Sequence, residues 1–302
     1  MLGGFDLVQD GTAIDVSKRI TRKPLELLKA IIALGGREIA PAALADLLWP
    51  DAEGDAAQKA LETTLHRLRK QLGSEHALPV HQGKIGIDPQ HCWVDLVALN
   101  GLVAELEKSL RSEASLEALR SLADALENLY RGDLLPRETD LPWLSAPRQR
   151  LHARFLDLVA ALGQALEQAG DVERAISLYL RGTHVESTVE PLYQRLIACY
   201  LRTGRVALAE EAYRRCLAAL SAQSGKRPSA ETEFLGQDSR LLPALKSPFS
   251  RAIRPGSVRR VGWHVGNLWA PRLARSRLDA MCGRTAATPV GAGVGALWAP
   301  CP

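Results

Sequence analysis

The sequence is poor in the residue patterns that announce catalysis. Its five cysteines (Cys92, Cys199, Cys216, Cys282 and Cys301) are scattered, with no CxxC pair and no metal-ligand spacing, which argues against a zinc cage, and they read as buried small apolar residues or free thiols. No GxxxxGK[ST] occurs, so there is no phosphate-binding loop of that type. No GxSxG occurs either, nor a paired Cys/His arrangement in the context of a catalytic family, and the chain is not expected to be an enzyme. No uncharged apolar run approaches membrane-spanning length, and the N-terminus lacks a basic-then-apolar signal pattern. A cytoplasmic protein without cofactor or metal is expected. Glutamate is absent beyond Gly236, where Trp263, Trp269 and Trp298 lie without periodicity. A segment of that kind offers little core to offset ordering entropy, and residues 236–302 read as a disordered tail.

The charge balance narrows the reading further. The chain carries +4 overall. Beyond Gly236 there are ten Lys/Arg and two Asp/Glu, so the tail holds +8 and residues 1–235 hold −4. The basic isoelectric point therefore belongs to the tail. It is no argument for nucleic-acid binding by the rest, which must rest on local placement of charge.

What is present is patterned. At 302 residues the chain has room for two domains. Phe5 and Leu7 alternate before Asp10-Gly11, and Ile14 and Val16 alternate after it, which predicts a hairpin. Pro24 opens the helical segment PLELLKAIIALGG and Pro41 opens PAALADLLW. A loop rich in Asp, Glu and Gly precedes a third helix over Asp55–Gly73, with Asp55 placed to cap it and Gly73 to stop it. Leu78–His81 and Lys84–Ile87 around Gln82-Gly83 predict a second hairpin. From Val94 onward the pattern is helical: Leu96–Leu110, Leu116–Tyr130 and Arg148–Gln168. Then GDVERAISLY at 170–179 recurs as GRVALAEEAY at 204–213, an offset of 34 residues, the tetratricopeptide period. Leu162-Gly163 stands where that pattern places Leu-Gly. Stacked helix pairs of this kind build a surface for a partner.

The third helix carries the functional argument. Leu61, Leu65, Leu68 and Leu72 form one stripe, and Lys59, Thr63, His66, Arg67 and Lys70 fall on the opposite side. Such a face suits a DNA major groove. Arg67 is placed for a bidentate contact to guanine and Thr63 for a thymine methyl, while Lys59, His66, Arg69 and Lys70 suit phosphates. Two preceding helices and a following Gly-tipped hairpin match a winged helix-turn-helix, in which Lys84 meets a flanking phosphate or the minor groove.

The stretch ADLLWPDAEGDAAQKALETTLHRLRKQLG, with HQGKIGID after it, resembles the OmpR-type winged helix of the antibiotic regulatory protein (SARP) class of bacterial activators. GDLLP at 132–136, PWLSAPRQRL at 142–151, the 34-residue repeat and KRPSAETE at 226–233 resemble the bacterial transcriptional activator domain that follows it in that class. The resemblance covers about residues 1–235. It implies a winged-helix domain over 1–98 and an all-helical, tetratricopeptide-like activator domain over 99–235, so a mainly α fold with small β-hairpins. It implies sequence-specific binding to double-stranded operator DNA and contact with RNA polymerase. It places groove contacts at Thr63 and Arg67, with Arg69 and Lys70 on the backbone. Residues 1–98 hold eleven Lys/Arg against thirteen Asp/Glu, which predicts weak non-specific affinity and a need for a homodimer or a tandem operator. The opening MLGGFDL begins close to a strand, which suggests a start displaced from that of a longer regulator.

The remaining candidates have plainer explanations. His66, His76, His81 and His91 read as surface residues. His91-Cys92-Trp93 reads as core at the edge of the second hairpin. Asp51, Glu53 and Asp55 read as an acidic loop and a helix cap. Arg148, Arg150 and Arg154 read as a solvated charged face. The rival to the DNA reading is a tetratricopeptide-type interaction adaptor, or the effector fragment of a larger signalling regulator, supported by the acidic balance of residues 1–235.

Overall fold

The computed structural model describes residues 1–245 apart from Asp10, Glu113 and Lys226. The fold is mainly α. Antiparallel β1 (Val8–Gln9) and β2 (Thr12–Ala13) pair Val8 with Ala13 and Gln9 with Thr12. The strands are shorter than the alternation predicts, although the Ile14 amide still donates to the Leu7 carbonyl at 2.8 Å. Both strands are exposed, so no apolar face rewards a longer ladder.

Helices α1 (Val16–Arg19), α2 (Arg22–Ala33), α3 (Pro41–Leu48) and α4 (Gly54–Leu72) follow. Proline opens α3 at its first position, where the missing N–H costs nothing. α4 begins one residue earlier than expected, with Glu53 in extended conformation as the cap residue and no side-chain cap bond. Asp55 is thus not the cap. It sits in the first turn, where its charge still meets the positive helix end. Gly73 ends the helix at φ +75°, a left-handed position that favours glycine. Antiparallel β3 (Val80–His81) and β4 (Lys84–Ile85) turn through Gln82 at φ +49° and Gly83 at φ +74°. Ile39 and Ile85 exchange both backbone bonds, at 2.9 and 2.8 Å, so the α2–α3 connection adds a third rung to this hairpin.

The helical region comprises α5 (Asp95–Arg111), α6 (Leu116–Leu129), a 3-10 turn at Pro142–Leu144, α7 (Ser145–Gln168), α8 (Val172–Val185), α9 (Glu190–Arg202), α10 (Val206–Ser224) and α11 (Ala230–Leu245). Each helix from α7 on packs against the next. The 34-residue repeat corresponds to the α7–α8 and α9–α10 pairs, with Gly170 at φ +89° and Gly204 at φ +73° in the turns between partners. Asp171 accepts from the Arg174 amide at the start of α8 and from the Arg120 guanidinium on α6. Burial opposes ionisation of Asp171, but these bonds outweigh it and hold the carboxyl below its usual range.

The tail was expected to begin at Gly236, yet α11 runs on to Leu245. Gly236 lies against Tyr213 of α10, so close that a Cβ there would stand 2.5 Å from the ring. The packing of α11 on α9 and α10 therefore extends the helix past the compositional break. The expectation of disorder for residues 246–302 lies outside the described residues.

One cluster of buried side chains extends from Leu2 through the N-terminal helices to Leu235. Within it, Tyr179 of α8 is fully buried and its hydroxyl donates to Glu167 at 2.6 Å. Its ring occupies the space beside Gly163, where a Cβ would lie 2.4 Å from the ring edge. Alanine gains about 1 kcal/mol over glycine in a helix, but overpacking of a fixed aromatic costs about 1–3 kcal/mol. Gly163→Ala is expected to lower the urea midpoint, and a raised midpoint would remove the packing account of this glycine.

Candidate nucleic-acid interface

α4 is built as the leucine stripe predicts. Leu61, Leu65 and Leu68 are buried, and Leu72 is half-buried at the end of the stripe. α2 and α3 supply the surface beneath them. Thr64 is also buried and donates its hydroxyl to the Ala60 carbonyl at 2.7 Å. It belongs to the packed face, whereas Thr63 is exposed and bonds its own helix at Lys59.

Lys59, Thr63, His66, Arg67 and Lys70 are brought together on the solvent side of α4. Among the described residues, the side chains of Lys59, His66, Arg67 and Lys70 form no ion pair. The exposed Lys59, Arg67 and Lys70 are thus open to an external anion. Glu62 on the same helix is engaged by Gln58 at 3.2 Å.

Arg69 and Lys84 stand differently. Arg69 is half-buried, and its Nε and Nη2 donate to the Leu78 carbonyl at 3.1 and 2.6 Å. This fork ties α4 to the residue two before β3, so the guanidinium fixes the hairpin against the helix. Arg69→Ala is expected to speed hydrogen exchange at the Ile85 amide and leave the α7–α8 amides unaffected. Equal exchange at Ile85 in both proteins would deny Arg69 that role. Lys84 is exposed on β4 with its Nζ 3.4 Å from a Glu38 carboxylate oxygen. Glu38, at φ +50°, carried no signal in the sequence, because the pair forms only when the α2–α3 connection meets the hairpin. At the same C-terminal end of α4, Arg19 donates to the Gln71 carbonyl at 3.2 Å and Gln71 donates to the Thr21 hydroxyl at 3.2 Å.

The histidines are surface residues in part bound to one another. His76 and His91 stack with ring centroids 5.5 Å apart. Asp88 accepts from the Gln90 amide at 2.8 Å and meets His91 Nδ1 at 2.9 Å, and these bonds lower its pKa. Trp93 is 69% exposed, so His91-Cys92-Trp93 is not core: only Cys92 is half-buried, and burial raises its thiol pKa. No group of three or more candidate metal ligands occurs among the described residues. Nor is Arg148 a solvated cation. It donates to the carbonyls of Leu134, Leu135 and Glu138, while Arg154 donates to Asn100 and Arg150 is exposed.

An open groove of about 500 Å³ between α6 and α8 is lined by Glu127, Glu173, Ile176, Leu180, Arg181 and His184. Its two acids are already paired, Glu127 with Arg174 and Glu173 with Arg205. No helix among the described residues is long and apolar enough to cross a membrane.

Known proteins share this architecture. Residues 94–238 match the model of the bacterial transcriptional activator domain family. The regulatory protein AfsR of Streptomyces griseus is 27% identical over 211 residues, which is 70% of this chain and 21% of AfsR. The chain therefore spans about a fifth of the length of that relative. The structure of Mycobacterium tuberculosis EmbR in complex with a low affinity phosphopeptide matches with a TM-score of 0.57 at 19% identity, over 80% of this chain and 64% of that one. At that identity the likeness is one of fold. Residues 94–238 are thus similar to bacterial transcriptional activator domains, and the chain is similar to the regulatory protein AfsR.

Proposed function

We propose that the protein is a sequence-specific, DNA-binding transcriptional regulator, an activator that recruits RNA polymerase. In this reading residues 1–98 act as a winged helix and the helical region as the activator domain. The observation that carries it is the row of unpaired cations on one face of α4, in a region whose overall charge is negative. Charges placed at random on an acidic domain would be paired or dispersed. A cationic face between two supporting helices and a hairpin is what major-groove docking requires.

α4 enters the groove with Arg67 and Thr63 toward base edges. Lys59, His66 and Lys70 neutralise phosphates. Lys84 exchanges Glu38 for a flanking phosphate or the minor groove, and Arg69 holds the hairpin in position for it. The acidic loop Pro50–Asp55 or the helical region meets polymerase. A homodimer or tandem operator compensates for the acidic balance by adding a second contact. Such a protein works in the cytoplasm, at the nucleoid when bound.

Lys70→Ala is expected to weaken binding to all duplexes alike and to reduce the salt slope by about 1. Titrations at several salt concentrations, on an operator and on random duplex, check this. A loss confined to the operator would make Lys70 a base reader instead. The second reading, a tetratricopeptide-type adaptor, draws support from the helical repeats. It predicts protein partners and no duplex affinity at low salt.

A further inference from the structure

The connection from α6 to α7 is held by an arrangement that apolar packing alone does not need. Leu135 is buried, yet its backbone stands at φ +49°, a conformation that crowds any Cβ. Arg148 of α7 donates to three carbonyls of this connection: Leu134 at 2.8 Å, Leu135 at 2.5 Å and Glu138 at 2.9 Å. From the other side the N-terminal segment joins it. Leu2 bridges Leu134, the Gly3 amide donates to the Asp133 carbonyl at 2.9 Å, and the Leu135 amide donates to the Met1 carbonyl at 3.0 Å. Lys29 of α2, only 7% exposed, forms an ion pair with Glu138 and lies with its Nζ 5.2 Å from the Phe5 ring centroid. α2 in turn packs against α4.

Only the lysine of this pair is buried, the Glu138 side chain being 32% exposed, and such a pair is a poor way to gain stability, because desolvation of the lysine offsets much of the attraction. It does define one geometry sharply, since a displaced partner leaves a buried charge unmatched. A strained residue held by surrounding bonds has the same property. Together they make an element with one tight state and few intermediate ones, which is what coupling between regions requires.

We propose that the loop spanning Arg131–Asp140 is a latch that couples the helical repeats to the DNA-reading region. Arg148 reports the position of α7 to the loop. The Lys29–Glu138 pair passes it to α2, and α2 to α4. A partner that moves α7 thereby alters duplex affinity without touching α4. This rests on the DNA-binding reading above for its output, but not for the coupling itself.

The test uses the full chain with Arg148→Lys, which keeps the charge and loses the fork, and Glu138→Gln, which removes only the charge. Hydrogen exchange is followed amide by amide, and affinity is measured on a random duplex at low salt. Both variants are expected to exchange at least tenfold faster at Leu135 and across α2, with α9 unchanged, and to bind duplex at least threefold more weakly. Acceleration spread equally over α2 and α9 would mean a loss of general stability and overturn the latch. So would acceleration confined to the loop, or faster α2 exchange with unchanged duplex affinity. Should Arg148→Lys fail to fold, Glu138→Gln decides alone. Should the unsubstituted chain bind no duplex, the DNA reading falls, and the pattern of exchange in α2 and α9 still decides the coupling.

Discussion

Arg67→Ala is expected to weaken binding to the cognate operator by about 1–3 kcal/mol, roughly 5- to 150-fold, and to relax the preference at one base position. The side chain lies exposed on α4, so the substitution should leave folding stability within about 0.5 kcal/mol. Affinity for random duplex should fall much less, because only a phosphate-reading cation contributes equally to all sequences. Competition binding against a panel of single-base operator variants checks this. Equal losses on operator and random duplex would move Arg67 from reader to anchor, and no loss on either would remove α4 from the interface.

The largest stability effect should come from a residue far from α4. Phe155 of α7 is fully buried, and its ring stacks on Tyr130 with centroids 3.9 Å apart. Tyr130 is itself buried, and its hydroxyl pKa is pushed up to about 12 by burial and by Asp133. Its carbonyl accepts from Arg181 at 2.6 Å, which holds it in place on the side of α8. A cavity opened there has little means of collapsing. Phe155→Ala is therefore expected to cost about 3–5 kcal/mol, a large part of the 5–15 kcal/mol typical of a whole domain. Denaturant unfolding of the full chain measures it. A loss under 1 kcal/mol would mean that the stack is not central to the core. Phe155→Leu should recover part of the loss by refilling volume.

The parts of this fold that were legible in the sequence are those specified locally. The leucine stripe of α4 places its buried and exposed faces, Pro41 starts α3, and Gly73 stops α4. The 34-residue recurrence marks α7–α10 because each pair repeats the same small residues and tyrosines. What escaped depends on contacts between distant segments. Arg69 falls at the edge of the cationic face by spacing, and only the approach of Leu78 turns its guanidinium inward. Arg148 reads as one of several exposed arginines until the α6–α7 loop folds over it. Trp93 has the composition of core but no neighbour to bury it. Compositional bias placed the tail boundary at Gly236, whereas a glycine at that position admits Tyr213 and lets α11 continue. Glu53 takes the cap position of α4 without using its side chain, so a rule based on residue type chose Asp55 instead.

Selection from a random duplex pool by the full chain at low salt tests the central claim most directly. The account predicts enrichment of a defined motif, with the enrichment lost in Arg67→Ala and the salt slope reduced in Lys70→Ala. A chain shown to be folded by its cooperative unfolding, yet enriching no sequence and retaining no duplex, would contradict it and leave the adaptor reading in its place.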